Sequence, residues 1–196
     1  METLAAALPQ EGDIPGTYFS VECRSLQEPC ADLWGVGVVV SEEPEDPASA
    51  STKGGRIAIY PEAGTGSSVP PAEAFASAQE KCRPGEFDVE PSFDPRGLGP
   101  HGRNGERGKS IPLSADITGW QTVSCVRDFV TYVAAPGSTV TDPEYVDTGT
   151  RQEASTAALG KTETGEDIIV IVTAGNPEAL EDLQDGFFER LEEEAG

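Results

Sequence analysis

Between Asp167 and Thr173 every residue is apolar and β-branched (Ile168, Ile169, Val170, Ile171, Val172). A run that is apolar at both parities leaves no face for water, so it predicts a strand in the middle of a sheet. Trp120 to Ala134 is the strongest strand region, and Val123 and Cys125 share one side of it. It is long enough for two strands, or for one strand that bends near Arg127-Asp128. Three weaker stretches also read as strands. Gly16 to Cys23 alternates Tyr18, Ser20 and Glu22 against Phe19, Val21 and Cys23, Gly35 to Val40 is rich in β-branched residues, and Arg56 to Tyr60 is a short apolar run.

Helical spacing occurs in two places. Pro70 and Pro71 open a helix that extends to about Cys82, proline being suited to a first turn. Phe75, Ala78 and Cys82 fall at i, i+3 and i+7, which puts Cys82 on the buried face, while Lys81 and Arg83 complement the negative end. Near the C-terminus Asn176 caps a second helix with Pro177 in its first position, and Leu180, Leu183, Phe187 and Leu191 form its apolar stripe beside Phe188. Gly186 weakens that helix by about 1 kcal/mol relative to alanine, and Glu192, Glu193 and Glu194 oppose its dipole, so its end is expected to fray. Leu4 to Leu8 reads as a short helical lead stopped by Pro9. Residues 41–54 lack an apolar period and residues 91–112 are rich in Gly and Pro, so both are expected to be exposed, mobile loops.

Strands joined mostly by turns, with one middle and one terminal helix, give an α+β fold. The expected architecture is a mostly antiparallel twisted sheet with both helices packed on one face, in a single domain spanning 1–196.

The four cysteines, Cys23, Cys30, Cys82 and Cys125, lack the paired short spacing of a zinc site, and the chain has one histidine, His101. An even count of this kind reads as a disulfide framework with three possible pairings. The layout favours Cys23–Cys30 with Cys82–Cys125, because the second bridge would staple the middle helix to the sheet. Disulfides persist in oxidising compartments, so the expected location is extracellular or at the cell surface. Met1-Glu2-Thr3-Leu4 shows no basic segment followed by an apolar one, so an exported protein is expected to be seen here in a mature or truncated form.

With 35 acidic and 13 basic residues the formal charge is −22. Such a chain repels phosphates and anionic lipid heads, which excludes nucleic acid as an expected partner. No apolar stretch has the length of a membrane span, so no direct membrane insertion is expected. Solubility, adaptation to high salt, or a surface that grips a cationic partner would each use this charge. Arg96, His101, Arg103, Arg107 and Lys109 form a basic island in the 91–112 stretch, a candidate ligand or partner loop.

The order of residues also resembles a known group. Leu8-Pro9, Asp13-Ile14-Pro15-Gly16-Thr17-Tyr18, Cys23, Cys30-Ala31, an alanine-rich helix ending at Cys82, Gly119-Trp120 with Cys125 and Phe129, and a closing strand and helix follow one another. This is similar to actinobacterial secreted proteins and lipoproteins related to the PknH-like extracellular sensor domain family. The resemblance implies a non-catalytic cell-envelope sensor or ligand-binding domain with disulfides, whose partner is an unknown small molecule or protein. A lipid anchor would need a modified cysteine upstream.

Catalytic readings fare poorly. Gly102 to Ser110 evokes a phosphate-binding loop, but Arg103 stands where its first glycine belongs, and Pro112 follows where a helix should open. His101 would be the sole imidazole for a nucleophilic mechanism, and it sits between Pro100 and Gly102 with nothing to orient it. Asp142, Glu144 and Asp147 could approach a calcium ion but lack the order of a calcium loop. Trp34 and Trp120 could line a cleft, and Trp120, at the start of the strongest strand, reads as core. Neither catalysis nor a cofactor is expected. The alternative to a sensor is an acidic interaction protein of the inhibitor or immunity type; a hydrolase with a carboxylate pair is a third reading.

Overall fold

A computed structural model describes residues 6–8, 17–23, 36–42, 55–61, 69–89, 104–135, 144–162 and 165–195. Eight strands form one sheet in the order β1-β2-β3-β8-β7-β6-β5-β4. They are β1 (Thr17–Cys23), β2 (Val36–Glu42), β3 (Gly55–Pro61), β4 (Gly85–Val89), β5 (Asn104–Leu113), β6 (Gln121–Ala134), β7 (Tyr145–Lys161) and β8 (Asp167–Ala174). Every pairing is antiparallel. Helix α1 (Pro71–Lys81) lies between β3 and β4, and α2 (Pro177–Ala195) follows β8. The fold is α+β with a middle and a C-terminal helix.

The two helices cover opposite faces of the sheet, not one. On β8, Ile168, Val170, Val172 and Ala174 join the core that holds Leu180, Leu183, Phe187 and Phe188 of α2. Ile169 and Ile171 point the other way and pack with Phe75, Ala74 and Ala78 of α1. The reason lies in the strand itself. Being apolar at both parities, β8 needs a layer on each side, and a single layer would leave one row of isoleucines in water. β8 is accordingly central, flanked by β3 and β7.

β7 was not marked by any apolar run, yet it is the longest strand. Its outer half is exposed, and its inner half buries Ala154, Thr156, Ala157 and Ala158. These residues are small because β7, like β8, lies beneath a helix on each face, and small side chains let both helices approach. Thr156 and Ser124, directly opposed on β7 and β6, satisfy each other inside the core through hydroxyls 2.8 Å apart. The β7–β8 hairpin closes with Thr162 N–H on Glu166 O (2.9 Å), a Lys161–Asp167 ion pair (2.6 Å) and Gly165 at φ +83°, where a residue with Cβ would be strained.

The stretch 104–112, expected to be loop, forms most of β5. Its glycines are covered by rings from neighbouring strands. Gly108 lies between Phe87 on β4 and Phe129 on β6 in the ladder, and these two rings meet edge to face at 5.3 Å. Gly105 stands directly opposite Tyr132, whose ring occupies the space a Cβ would need. Aromatic cover of this kind restores the packing that strand glycines forgo. Trp120–Ala134 resolves as one strand from Gln121, without a bend at Arg127-Asp128; the ladder shifts register later, between Thr131 and Tyr132.

The bounds of both helices and the Asn176 cap fall where the sequence puts them. Ala179 N–H donates to the Asn176 side chain at 2.9 Å, the N-cap of α2. Phe187 is fully buried, and Leu180 and Leu183 nearly so. The helix continues to Ala195, past the acidic run where fraying is expected. Trp120 is half-buried at the rim of the α2 core, its ring 5.4 Å from that of Phe188 and lying over Gly160. Within the expected lead, Ala7 and Leu8 are fully buried in the same core.

Cys82, just past α1, is bonded to Cys125 of β6, with Cα atoms 5.3 Å apart. The bridge closes a separation of 43 residues. The pairing of Cys23 with Cys30 lies outside the described residues, as do residues 43–54 of the first expected loop and Trp34.

Replacing both Cys82 and Cys125 by alanine is expected to lower stability by about 4 kcal/mol on chain entropy, read as a shift in urea midpoint. Gly108→Ala places a Cβ against the Asp128 carbonyl and 2.8 Å from the Phe87 ring, and should cost about 1–3 kcal/mol. Gly149→Ala meets nothing within 4 Å and should leave the midpoint unchanged or slightly raised; equal losses in both variants would contradict the ring-cover account.

Candidate functional site

A cleft of about 150 Å3 opens between the C-terminal half of α1 and the sheet. It arises because small residues face small residues. Helix α1 presents Ala74, Ser77 and Ala78 to Ser155 and Ala157 of β7 and to Thr173 of β8, so the layers cannot close completely there. Val123 and Ile171 complete an apolar floor. Lys81, Arg127 and Glu153 supply charge, and the Cys82 half of the disulfide forms part of the wall.

The end of α1 is held firmly. Besides the disulfide, Ser110 Oγ donates to the Lys81 carbonyl at 3.2 Å. Ser110 is the ladder partner of Arg127, and Arg127 lies two residues beyond Cys125 on the same side of β6. The covalent link therefore places Arg127 beside the cleft. Its guanidinium carbon sits 4.2 Å from the centre of the Phe87 ring and 4.6 Å from that of Phe129. Arg151 lies on Phe129 as well, at 3.9 Å.

Glu153 opposes Arg127 in the β6–β7 ladder, yet its carboxylate accepts from Arg151 at 3.2 Å. Arg151 also donates to Glu106 at 3.0 Å. Burial lowers the pKa of Arg151, but the hydrogen bonds and charges of Glu106 and Glu153 outweigh it and raise it on balance. Arg127 makes no ion pair among the described residues, and its Nε is buried without a hydrogen-bond partner.

The basic island of the sequence is not assembled as a loop. Arg107 and Lys109 lie in β5. Arg107 is engaged in two hydrogen bonds to the Asp147 carboxylate, at 2.7 and 2.8 Å, and stands 5.7 Å from the centre of the Tyr132 ring. These residues are on the sheet face opposite the cleft. Arg96, His101 and Arg103 lie outside the described residues, as does Asp142 of the candidate calcium set. Asp147 is committed to Arg107, and no group of three or more histidine, cysteine, aspartate or glutamate side chains suited to a metal ion occurs among the described residues. Arg127 was legible only as a charge inside the strongest strand, two places after a cysteine; that position, on the apolar side of a core strand, is the signal that could have marked it.

Tyr132 on the opposite face donates to Asp88 at 2.9 Å. Burial, first, and then the Asp88 carboxylate raise its pKa above the ordinary 10.0, against a lowering pull from Arg107. A raised pKa means that its contribution to stability is complete below pH 10.0 and is lost as the pH climbs from there through the folded-state value. Tyr132→Phe should therefore flatten the alkaline fall in stability above that pH, in unfolding curves taken at rising pH. An alkaline limb identical to the parent's would remove Tyr132 as its source.

Among the described residues no helix is long and apolar enough to cross a membrane. Compared with protein-family models, curated proteins and solved structures, the chain matches none.

Proposed function

We propose that this chain is a non-catalytic extracytoplasmic ligand-binding domain of the cell-envelope sensor kind, and that the cleft under α1 is its binding site. The observation that carries the reading is the juxtaposition of an open, partly apolar cleft with an arginine, Arg127, that makes no ion pair among the described residues. Binding sites are typically concave and apolar with a few convergent polar groups, and the cleft has that composition on a small scale. The Cys82–Cys125 bridge supports a location where disulfides persist. The PknH-like resemblance in residue order agrees with the same role, and a lipid anchor upstream would tether such a domain to the surface.

The site has the rigidity that recognition needs. Its floor is the doubly covered centre of the sheet, and its lid helix is fixed by a disulfide and a hydroxyl–carbonyl bond at one end. A ligand therefore meets a preformed surface, which keeps the ordering cost of binding low.

Screening metabolite pools by thermal shift is the direct test. A ligand present at about 100 times its Kd adds about 2.7 kcal/mol to stability, which is readily seen as a rise in Tm. Ala78→Leu, which fills the cleft from the helix side, should abolish that rise. A rise that survives Ala78→Leu would move the site elsewhere, and no rise with any pool would count against a ligand-binding role.

A further inference from the structure

We infer that the ligand of the cleft is a small organic carboxylate, held by Arg127; this rests on the cleft being the binding site proposed above. Three charged side chains line the cleft, and the single carboxylate among them is already shared. Glu153 is bound to Arg151, which holds Glu106 too. Arg127 and Lys81 have no ion-pair partner among the described residues, although the chain as a whole carries a formal charge of −22. Lys81 and Arg127 outnumber Glu153 among the charged residues that line the cleft, so an anion entering it meets a lining of net positive charge.

The geometry of Arg127 narrows the class of anion. The rings of Phe87 and Phe129 flank its guanidinium, their centres 4.2 and 4.6 Å from its carbon. A guanidinium offers a planar fork of N–H donors that matches a carboxylate with two parallel hydrogen bonds. Size and lining narrow it further. A dry cavity of about 150 Å3 holds one benzene-sized molecule, so the cleft suits a ligand of roughly three to six carbons by the same measure. Ala78, Val123, Ala157 and Ile171 suit a short aliphatic chain, while Ser77 and Thr173 offer hydroxyls to a substituent on it.

Titrating the 15N-labelled full chain with butyrate, its neutral isostere butyramide and the cation butylamine tests this. Butyrate should shift the amides of Ala74, Ala78, Ser155 and Ala157 saturably, with butyramide and butylamine weaker by at least about tenfold. Arg127→Gln should weaken butyrate by at least about tenfold, and Arg127→Lys should restore only part of the loss, because the charge returns without the fork. Unchanged spectra away from the cleft verify that the variants fold; should Arg127→Gln fail to fold, added salt on the parent protein must weaken butyrate and spare butyramide. Equal binding of butyramide or butylamine, or butyrate binding that ignores Arg127 or salt, overturns the carboxylate assignment and leaves the cleft as a site for another class. If none of the three probes shifts these amides, the carboxylate assignment falls; the cleft reading stands only if a metabolite pool still raises Tm in the parent and not in Ala78→Leu, and otherwise falls with it.

Discussion

Burial of β8 on both faces is the constraint that organises this molecule. Ile168, Ile169, Val170 and Val172 are all fully inaccessible to water, and each contributes about 1.5–3 kcal/mol only while something apolar covers it. The two parities look in opposite directions, so α1 and α2 must lie on opposite sides. Neighbouring β7 inherits the same requirement with alanine, serine and threonine in place of isoleucine. Its small side chains bring the helices close, and where small residues of α1 meet small residues of β7 they also leave the cleft. The site is thus a by-product of the central packing, and the disulfide holds its mouth in a fixed place.

Elements whose pattern is local were legible in the sequence. The all-β-branched run of β8, the Pro70-Pro71 entry to α1, the Asn176-Pro177 cap of α2 and the apolar stripes of both helices depend on neighbours along the chain, and they stand where the pattern puts them. Elements whose reason is tertiary were not legible. β7 carries no apolar run because its burial comes from two helices distant in sequence. β5 reads as a turn-rich segment because its glycines are covered by Phe87 and Tyr132 from other strands. The placement of the helices on two faces was implicit in β8 itself, since a strand without a polar parity leaves no side free. As for the candidate cleft, the cysteines marked the junction of helix and sheet beside which it opens, whereas the basic residues expected as a loop do not line it. Arg107 is paired with Asp147 on the other face, and Arg127, the arginine that lines the cleft, lies inside a strand.

Charge is organised differently at the two scales. Over the whole chain the acidic excess gives a formal charge of −22. Within the sheet, arginines pair with acids or with rings: Arg107 with Asp147, Arg151 with Glu106 and Glu153, Arg127 with Phe87 and Phe129. Among the described residues, only the last leaves a buried side-chain nitrogen, Arg127 Nε, without a hydrogen bond, and Arg127 lines the cleft. A rigid support and an unspent donor are what a binding surface requires, and neither can be read from a net charge.

The ring-covered glycines carry an evolutionary consequence. Positions 87, 108 and 129 are ladder neighbours across three strands, so a side chain gained at 108 must be met by a smaller one at 87 and by a shift of the β6 main chain beside 129. Among descendants of this sequence the three should drift in concert, and the pair 105 and 132 should do so separately on the reverse side of the sheet. Such linked histories would trace the strand order β4-β5-β6 without any coordinates.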